Sequence, residues 1–520
     1  MLDLRLVNAD IITMDPARPA ARELGVWRGR IVGVDDEVAS LPARRVVDLG
    51  GATVLPGFVD AHVHLAWAGL REVTANIAPC ERLDDMLATI HDAALRRPAG
   101  EWVDIAGYDQ RPRGRHLTAA ELDTVSDGSL LFVVHDSGHA CVVNSAVLAR
   151  LPAGTEHDDG VLAEQGMAAV RALRRPYPVD ELAGALAAAA RTCLSEGVTA
   201  AAEAGLGGGL VSHSPVEIAA YQRAALPIRV QVMISGELLR PAGAHASDGI
   251  PRAMDLGLHT GFGGDRLSIG ALKIYTDGGM MARTAALTDP YLDGSGAGRL
   301  YTDADDLRAM MVDGHLAGWQ LAVHAIGDRA IDVALDGIAE AQRRFPRPDA
   351  RHRIEHAGLV RPDQLARFAE LGVLAVVQPN FLWYSGDDYA AILGPSRAPW
   401  LYRGQGFLDA GVGLVGSSDR PVTVGAPLRS IQFMVTRRTS SGLAVGPDEA
   451  ISVDAALRAF TIDAAHACHW DYDLGSVTAG KQADLVVLAA DPRRTDPDRI
   501  GDIAVLATLV AGDTAHGTLP

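Results

Sequence analysis

Apolar and polar positions fall into two textures along this chain. From the first residue to about 56, the runs LRLVNADIITM, ELGVWRGRIVGVDD and RRVVDLGGATVLPG alternate with the period of half-buried strands, and turns are expected at Arg28-Gly29 and Gly50-Gly51. The last seventy or so residues return to that texture in SVTAGKQADLVVLAADP and IAVLATLVAGDTAHG, punctuated by Gly480 and Asp491-Pro492. The two ends, 1–56 and 450–520, are expected to form one composite β-sandwich domain. Between them, strand-like apolar runs alternate with helical stretches such as ELAGALAAAARTCLSEG, which predicts a parallel sheet with crossover helices. Eight strand candidates can be counted: VLPGFVDAHVHL, GVTAAAEAG, IRVQVMI, SIGALKIYTDGG, QLAVHAIGD, HRIEHAG, VLAVVQPN and VGLVGSSD. Eight parallel strands close a barrel, so residues 57–449 are read as a (β/α)8 TIM barrel. The stretch from about 66 to 190 exceeds one crossover helix and is expected to be an inserted subdomain that covers the barrel mouth. The Gly205-to-Gly209 run, GLGGG, is expected to be a mobile loop.

At 520 residues the chain is too long for one ordinary core but suits a barrel with insertions and a satellite domain. Hydrophobic residues make up 48% and charged residues 22%, the balance of a globular protein rather than a disordered one. With 47 basic and 65 acidic residues the formal charge is −18, a field that repels phosphate backbones and anionic lipid surfaces, so nucleic acid and membrane are not expected partners. The opening residues lack a basic start followed by an apolar stretch, and no apolar run approaches the roughly 20 residues of a membrane span; a cytoplasmic location is expected. Cys80, Cys141, Cys193 and Cys468 are far apart, which argues against both disulfides and a thiolate zinc cluster. Any metal is then held by nitrogen and oxygen.

In a (β/α)8 barrel the reactive groups stand at the C-terminal strand ends. The first strand ends in His62-Val63-His64, and a period of two sends both imidazoles to one side of the sheet, here the barrel interior. Taken alone this fits an ordinary hydrogen-bonded pair as well as a metal pair. The fifth candidate ends with His324, the sixth with His356 and the eighth with Asp419, each just before a loop. Four histidines and an aspartate at strand ends form a ligand set for zinc, with manganese or iron as alternatives. Lys273, in the fourth candidate, is directed inward at the same level; pairing with Asp277 is its structural alternative.

The segments PGFVDAHVHL, KIYTDGGMMARTAAL, VHAIGDRAID, RIEHAGLV, QPNF and GSSDRPV, in this order and spacing, resemble the YtcJ-like branch of the amidohydrolase superfamily. The resemblance spans nearly the whole chain and includes GSVTAGKQADLVVL near its end. It implies that His62, His64, His324, His356 and Asp419 are metal ligands, and that Lys273 is an N6-carboxylated bridge between two metals. Carboxylation turns a cationic amine, which repels metals, into an anionic two-oxygen ligand. One departure is Gly278, Gly279, Met280, Met281 where relatives carry small residues; the two methionines are read as pocket lining or as core.

The expected reaction is hydrolysis of an amide-like carbon–nitrogen bond of a small molecule by metal-activated water. Asp419 is expected to take the proton from water and pass it to the leaving nitrogen. His139, in HDSGHACVVNS, is a candidate donor to the developing oxyanion, and Glu203, at the end of the second strand, a candidate for orienting a substrate amine or a metal ligand. Arg283 and Arg329 follow strand ends and are candidate partners of a substrate carboxylate, while Trp67, Trp383 and Tyr384 are candidate pocket walls. The same scaffold suits a deaminase, a decarboxylase or an ester or lactone hydrolase, and a metal-free binding or assembly protein is the non-enzymatic alternative. A homodimer is left open.

Overall fold

The structure is a computed structural model and describes residues 1–110, 114–135, 140–163, 165–208, 212–243, 247 and 253–519. Eight parallel strands follow one another in chain order: β1 (Phe58–Val63), β2 (Val198–Leu206), β3 (Arg229–Ser235), β4 (Leu267–Tyr275), β5 (Leu321–Ala325), β6 (Arg353–His356), β7 (Leu374–Val377) and β8 (Leu414–Gly416). Every residue of β1 and β2 is buried. Strands covered on both faces read as continuous apolar runs, and this is why the eight candidates stood out without strict alternation. Helices such as Ala304–Leu316, Asp328–Arg344 and Pro362–Leu371 connect them, and Pro427–Thr436 follows the last, giving a (β/α)8 barrel. Pro362 at the helix start and left-handed Gly372 (φ 60°) at its end bound one of these helices.

The seam between β8 and β1 is held beyond the end of β8 by two backbone hydrogen bonds, from Asp419 N to His62 O and from His64 N to Arg420 O, each 2.8 Å. At the other strand ends, Ala464, Ala465, Ala467 and Cys468 pack in one buried cluster with Val59, Ala61, Ala202, Ala271, Ala322 and Val376. Small side chains there let the helix Ile462–Ala467 sit close to the strands. The second strand runs through Gly205 to Leu206, so the glycine-rich run begins inside the barrel sheet; Gly209 lies outside the described residues.

The first strand candidate divides at Gly57. Residues Thr53–Pro56 belong to a separate six-stranded sheet, where they pair antiparallel with Leu485–Leu488, Val54 opposite Val487. A Cβ on Gly57 would meet Thr199 Oγ1 at 2.2 Å, so only glycine lets the chain turn from that sheet into the barrel. The six-stranded sheet and a four-stranded sheet of residues 2–7, 24–27, 30–34 and 43–48 enclose a core that joins Leu6, Leu24 and Val54 to Leu485, Val487 and Leu509. Both chain ends thus build one β-sandwich. The turn at Arg28-Gly29 has positive φ at both residues (51° and 75°), as its sequence predicted.

After β1 the chain leaves this unit, and residues Ala66–Ala188 with His213–Arg223 form a second compact unit. It holds a five-stranded sheet in the order 161–163, 140–143, 130–135, 102–108 and 75–76, with one apolar cluster around Ile90, Ile105 and Val133 and another around Phe132, Val143 and Val170. Buried Arg174 is neutralised within it by Asp104 at 2.9 Å and Glu181 at 2.7 Å. All four cysteines are free thiols. Among the described residues, no helix is long and apolar enough to cross a membrane.

Candidate metal centre

The hydrogen bonds that close the barrel also set Asp419 against the two histidines of β1. His62 Nε2 and His64 Nε2 lie 3.4 and 3.1 Å from Asp419 Oδ1, and all three residues are buried. Among the described residues this is the group whose ligand atoms all lie within 4.8 Å of one another. Two ligand atoms each about 2.1 Å from a tetrahedral ion stand about 3.4 Å apart, so the spacing fits a shared cation. Asp419 Oδ1 is buried yet accepts no hydrogen bond among the described residues, and the 3.1 Å approach of His64 is an ion-pair contact rather than an aligned bond. An unsatisfied buried carboxylate oxygen is costly, and a cation removes that cost.

Each imidazole is oriented from behind. His62 Nδ1 bonds Glu355 Oε2, and Glu355 is held in turn by Arg353, whose Nη2 lies 3.0 Å from Oε2 and 2.6 Å from Ala61 O. Glu203 faces His64 Nδ1 at 3.4 Å while accepting the Leu65 amide at 2.7 Å. His356 Nδ1 donates to Gln378 Oε1 at 2.7 Å, and Gln378 Nε2 donates to Ser417 Oγ at 2.9 Å. A histidine whose Nδ1 carries the proton keeps its lone pair on Nε2, the form a metal binds. Burial pulls the His64 imidazole down, but Asp419 and Glu203 outweigh it and raise it to about 9. Those two carboxylates favour a positive charge at this point. Burial and the nearby Lys273 charge send His324 down to about 3 against the opposing pull of the Gly278 carbonyl, and burial next to His324 sends His356 well below the usual imidazole range, so both are neutral.

His324 and His356 stand beside the three-residue cluster rather than in it. Their rings are 4.5 Å apart, and the His356 ring is 4.9 Å from that of His62. His324 Nε2 faces Gly278 O at 3.2 Å and Asp277 Oδ1 at 3.5 Å. Lys273, 1% exposed, brings Nζ to 3.5 Å from His62 Nε2. Its pairing with Asp277 is not found: both Asp277 oxygens are taken by the amides of Ile326, Gly327 and Ala286, at 3.1, 2.9 and 2.9 Å. Burial pushes the Lys273 amine down to about 8 against the pull of Glu355 and Asp419. Two backbone positions are left-handed, His356 at φ 71° and Asp419 at φ 53°. Neighbours in a regular strand point to opposite faces; the reversal at His356 ends the pleat, and Glu355 and His356 both reach His62.

Glu355, Arg353, Gln378 and Asp60 are site-supporting residues that the sequence reasoning missed. Asp60, two residues before His62, accepts from Ser418 N at 3.0 Å and Ser418 Oγ at 2.5 Å and so fixes the loop that carries Asp419. Its signal was its place in DAHVH; that of Glu355 was its place next to a ligand candidate in RIEH. Other candidates lie elsewhere. Arg283 is committed to Asp388 at 2.7 Å and Asp293 at 2.9 Å, which leaves it no open fork for a substrate carboxylate. Arg329 is exposed on the first turn of its helix. Trp383 stacks on Phe433, rings 5.0 Å apart and 11° from parallel, while Tyr384 is exposed. Met280 is buried and Met281 half-exposed, so they do not share one environment. Trp67 is half-buried on the helix Leu65–Val73, and His139 lies outside the described residues.

Comparison with known proteins agrees with this geometry. The amidohydrolase family matches residues 45–516. N-substituted formamide deformylase of Arthrobacter pascens is 30% identical, with 98% of each chain covered. Putative amidohydrolase YtcJ of Bacillus subtilis is 25% identical over 91% of each. A crystal structure of an uncharacterized metal-dependent hydrolase from Pyrococcus horikoshii superposes with a TM-score of 0.80 at 26% identity, covering 95% of this chain and 99% of that one. The chain belongs to the amidohydrolase family, on its YtcJ-like branch, and is a hydrolase acting on carbon–nitrogen bonds whose buried His62, His64 and Asp419 could hold a metal ion.

Proposed function

We propose that this enzyme hydrolyses the carbon–nitrogen bond of small N-substituted amides, N-substituted formamides being the class to test first, and that His62, His64 and Asp419 hold a zinc ion for the purpose. The observation that carries this reading is the convergence of two imidazoles and one hydrogen-bond-free carboxylate oxygen at the C-terminal barrel ends. Manganese and iron suit the same nitrogen and oxygen donors. The deformylase relative, aligned over the whole chain, supports the choice of formamides.

Bound at this cluster, a divalent ion supplies a water of lowered pKa and polarises a carbonyl oxygen. Without an ion, His62 and His64 already hold Asp419 well below the carboxylate range against its own burial, and a bound cation would keep it ionised in their place. Asp419 accepts the proton from the attacking water and returns it to the leaving nitrogen as the carbon–nitrogen bond breaks. Water oxygen ends on the acyl carbon, and the products are a carboxylate and an amine. Glu355 and Glu203 keep the two β1 imidazoles aimed, and Gln378 does the same for His356. Lys273, with its amine pushed down to about 8, has a neutral fraction at physiological pH. That lone pair can form a bond to the carbon of carbon dioxide and release a proton, and the resulting carbamate, with His324 and His356, would be the group to hold a second ion.

A panel of N-substituted formamides, N-acyl amines, cyclic amides, aminated rings and lactones, read by the product released, tests this. Formate and amine in equal amounts are expected from the formamides. Ammonia from ring substrates only, or acid from lactones only, would replace the reading with deamination or ester chemistry.

A further inference from the structure

A cavity lies at the opposite strand ends from the metal cluster. It has a volume of about 660 Å³, and its wall includes Ser268 near the start of β4, Gly318 just before β5, Arg347, His469 and Trp470. That volume is in the range of small-molecule sites. Ser268 precedes Lys273 by five residues on one strand, a separation of about 16 Å at the usual rise, so a ligand here does not touch the reacting atoms.

Charge on the wall is unequally compensated. Asp265 is paired with Arg229 at 3.1 Å and Asp473 with Arg30 at 2.7 Å. Arg347 has no carboxylate partner among the described residues, and burial alone moves its pKa, downward. Its Nη1 donates to His315 O and Trp319 O, both at 2.9 Å, and its Nη2 to Gly318 O at 3.0 Å. Three of the five guanidinium donors are thereby used, and they fix the side chain in place. Nε–H and one Nη2–H bond no group among the described residues. A half-buried cation without a counter-charge, in a chain of net charge −18, is an anion site held ready by its own scaffold. A single guanidinium with two acidic neighbours on the wall suits a monoanion better than a phosphate dianion. Half-buried Trp470 adds an apolar ring to the same wall.

We propose that this cavity binds a small organic carboxylate, its oxygens on the open donors of Arg347 and its apolar body against Trp470. The test is titration calorimetry of the full-length, metal-loaded protein with 3-phenylpropionate, with 3-phenylpropanol and inorganic phosphate as controls. One site per chain is expected for the carboxylate, retained when the metal is removed by a chelator. The alcohol and phosphate are expected to bind at least tenfold more weakly, as is the carboxylate to Arg347→Met. Because Arg347 also anchors three carbonyls, Gly264→Phe gives an independent reading. Gly264 lines the cavity, and a Cβ there meets nothing within 4 Å, so this variant is expected to fold and to obstruct the site. Absence of carboxylate binding to the wild type, its loss on metal removal, or equal affinity in Gly264→Phe would each overturn the proposal.

Discussion

Glu355 decides which nitrogen His62 presents to the site. Its carboxylate takes Nδ1, Arg353 holds that carboxylate, and Nε2 is left facing Asp419 and Lys273. Glu355→Gln keeps the shape but removes the charge, and metal affinity is expected to fall about ten- to a hundredfold, measured by competition with a chromogenic chelator. Asp419→Asn keeps the volume and loses the base; kcat is expected to fall by about 10²–10⁴ even at metal saturation. If Lys273 carries a bridging carbamate, Lys273→Ala lowers the metal content from two ions per chain to one, by elemental analysis. The convergence of His62, His64 and Asp419 was legible in the sequence because ligand-type residues rarely fall together at strand ends, whereas His324 and His356 stand beside that group. Glu355 and Gln378 were not legible. Their roles depend on the left-handed turn at His356 and on which nitrogen of each imidazole faces inward, and neither is written in residue spacing.

At the scale of elements, the eight barrel strands could be read because burial on both faces makes each a continuous apolar run. The break at Gly57 could not, since Thr53–Pro56 is assigned by a partner strand more than 400 residues away. Gly57→Ala forces a methyl group onto Thr199 and is expected to cost about 1–3 kcal/mol in chemical denaturation. Beneath β5, a relay of buried groups sets a pH dependence. Leu321 N donates to His352 Nδ1 at 3.0 Å, so His352 Nε2–H donates to His315 Nδ1 at 2.7 Å, and His315 Nε2–H donates to Phe345 O at 2.6 Å. The relay needs both imidazoles neutral, and burial holds His352 well below its usual value, with His315, Arg347 and His469 adding to the effect. The unfolded chain binds a proton there below about pH 6.5 and the folded chain does not. Stability from this residue is therefore fully present above pH 6.5 and is lost as pH falls, by up to about 1.4 kcal/mol per pH unit. His352→Gln can keep both bonds without titrating, and the slope of unfolding free energy between pH 6 and 5 is expected to flatten by about that amount.

For the molecule as a whole, alternation at both chain ends and the long gap after β1 announced a β-sandwich, a barrel and an insertion, and the structure contains all three. The inner architecture of the inserted unit was not legible, because its five-stranded sheet mixes parallel and antiparallel pairs, from strands as short as the two residues 75–76, and residue spacing does not give that order. Substrate choice was not legible either: Trp383 stands on the helix Asn380–Arg397 and stacks on Phe433, Arg283 is paired with Asp388, and Tyr384 and Arg329 are exposed. An ion held by His62, His64 and Asp419 is expected to drive hydrolysis of the carbon–nitrogen bond. The most direct test is amine release from an N-alkylformamide by protein stripped with a chelator and then reloaded with zinc in steps. Stripping is expected to lower the rate by at least about a hundredfold, and the rate to recover in proportion to bound zinc, with no recovery in the double variant His62→Ala, His64→Ala. Hydrolysis at full rate by metal-free protein, or equal recovery in the double variant, would contradict the account.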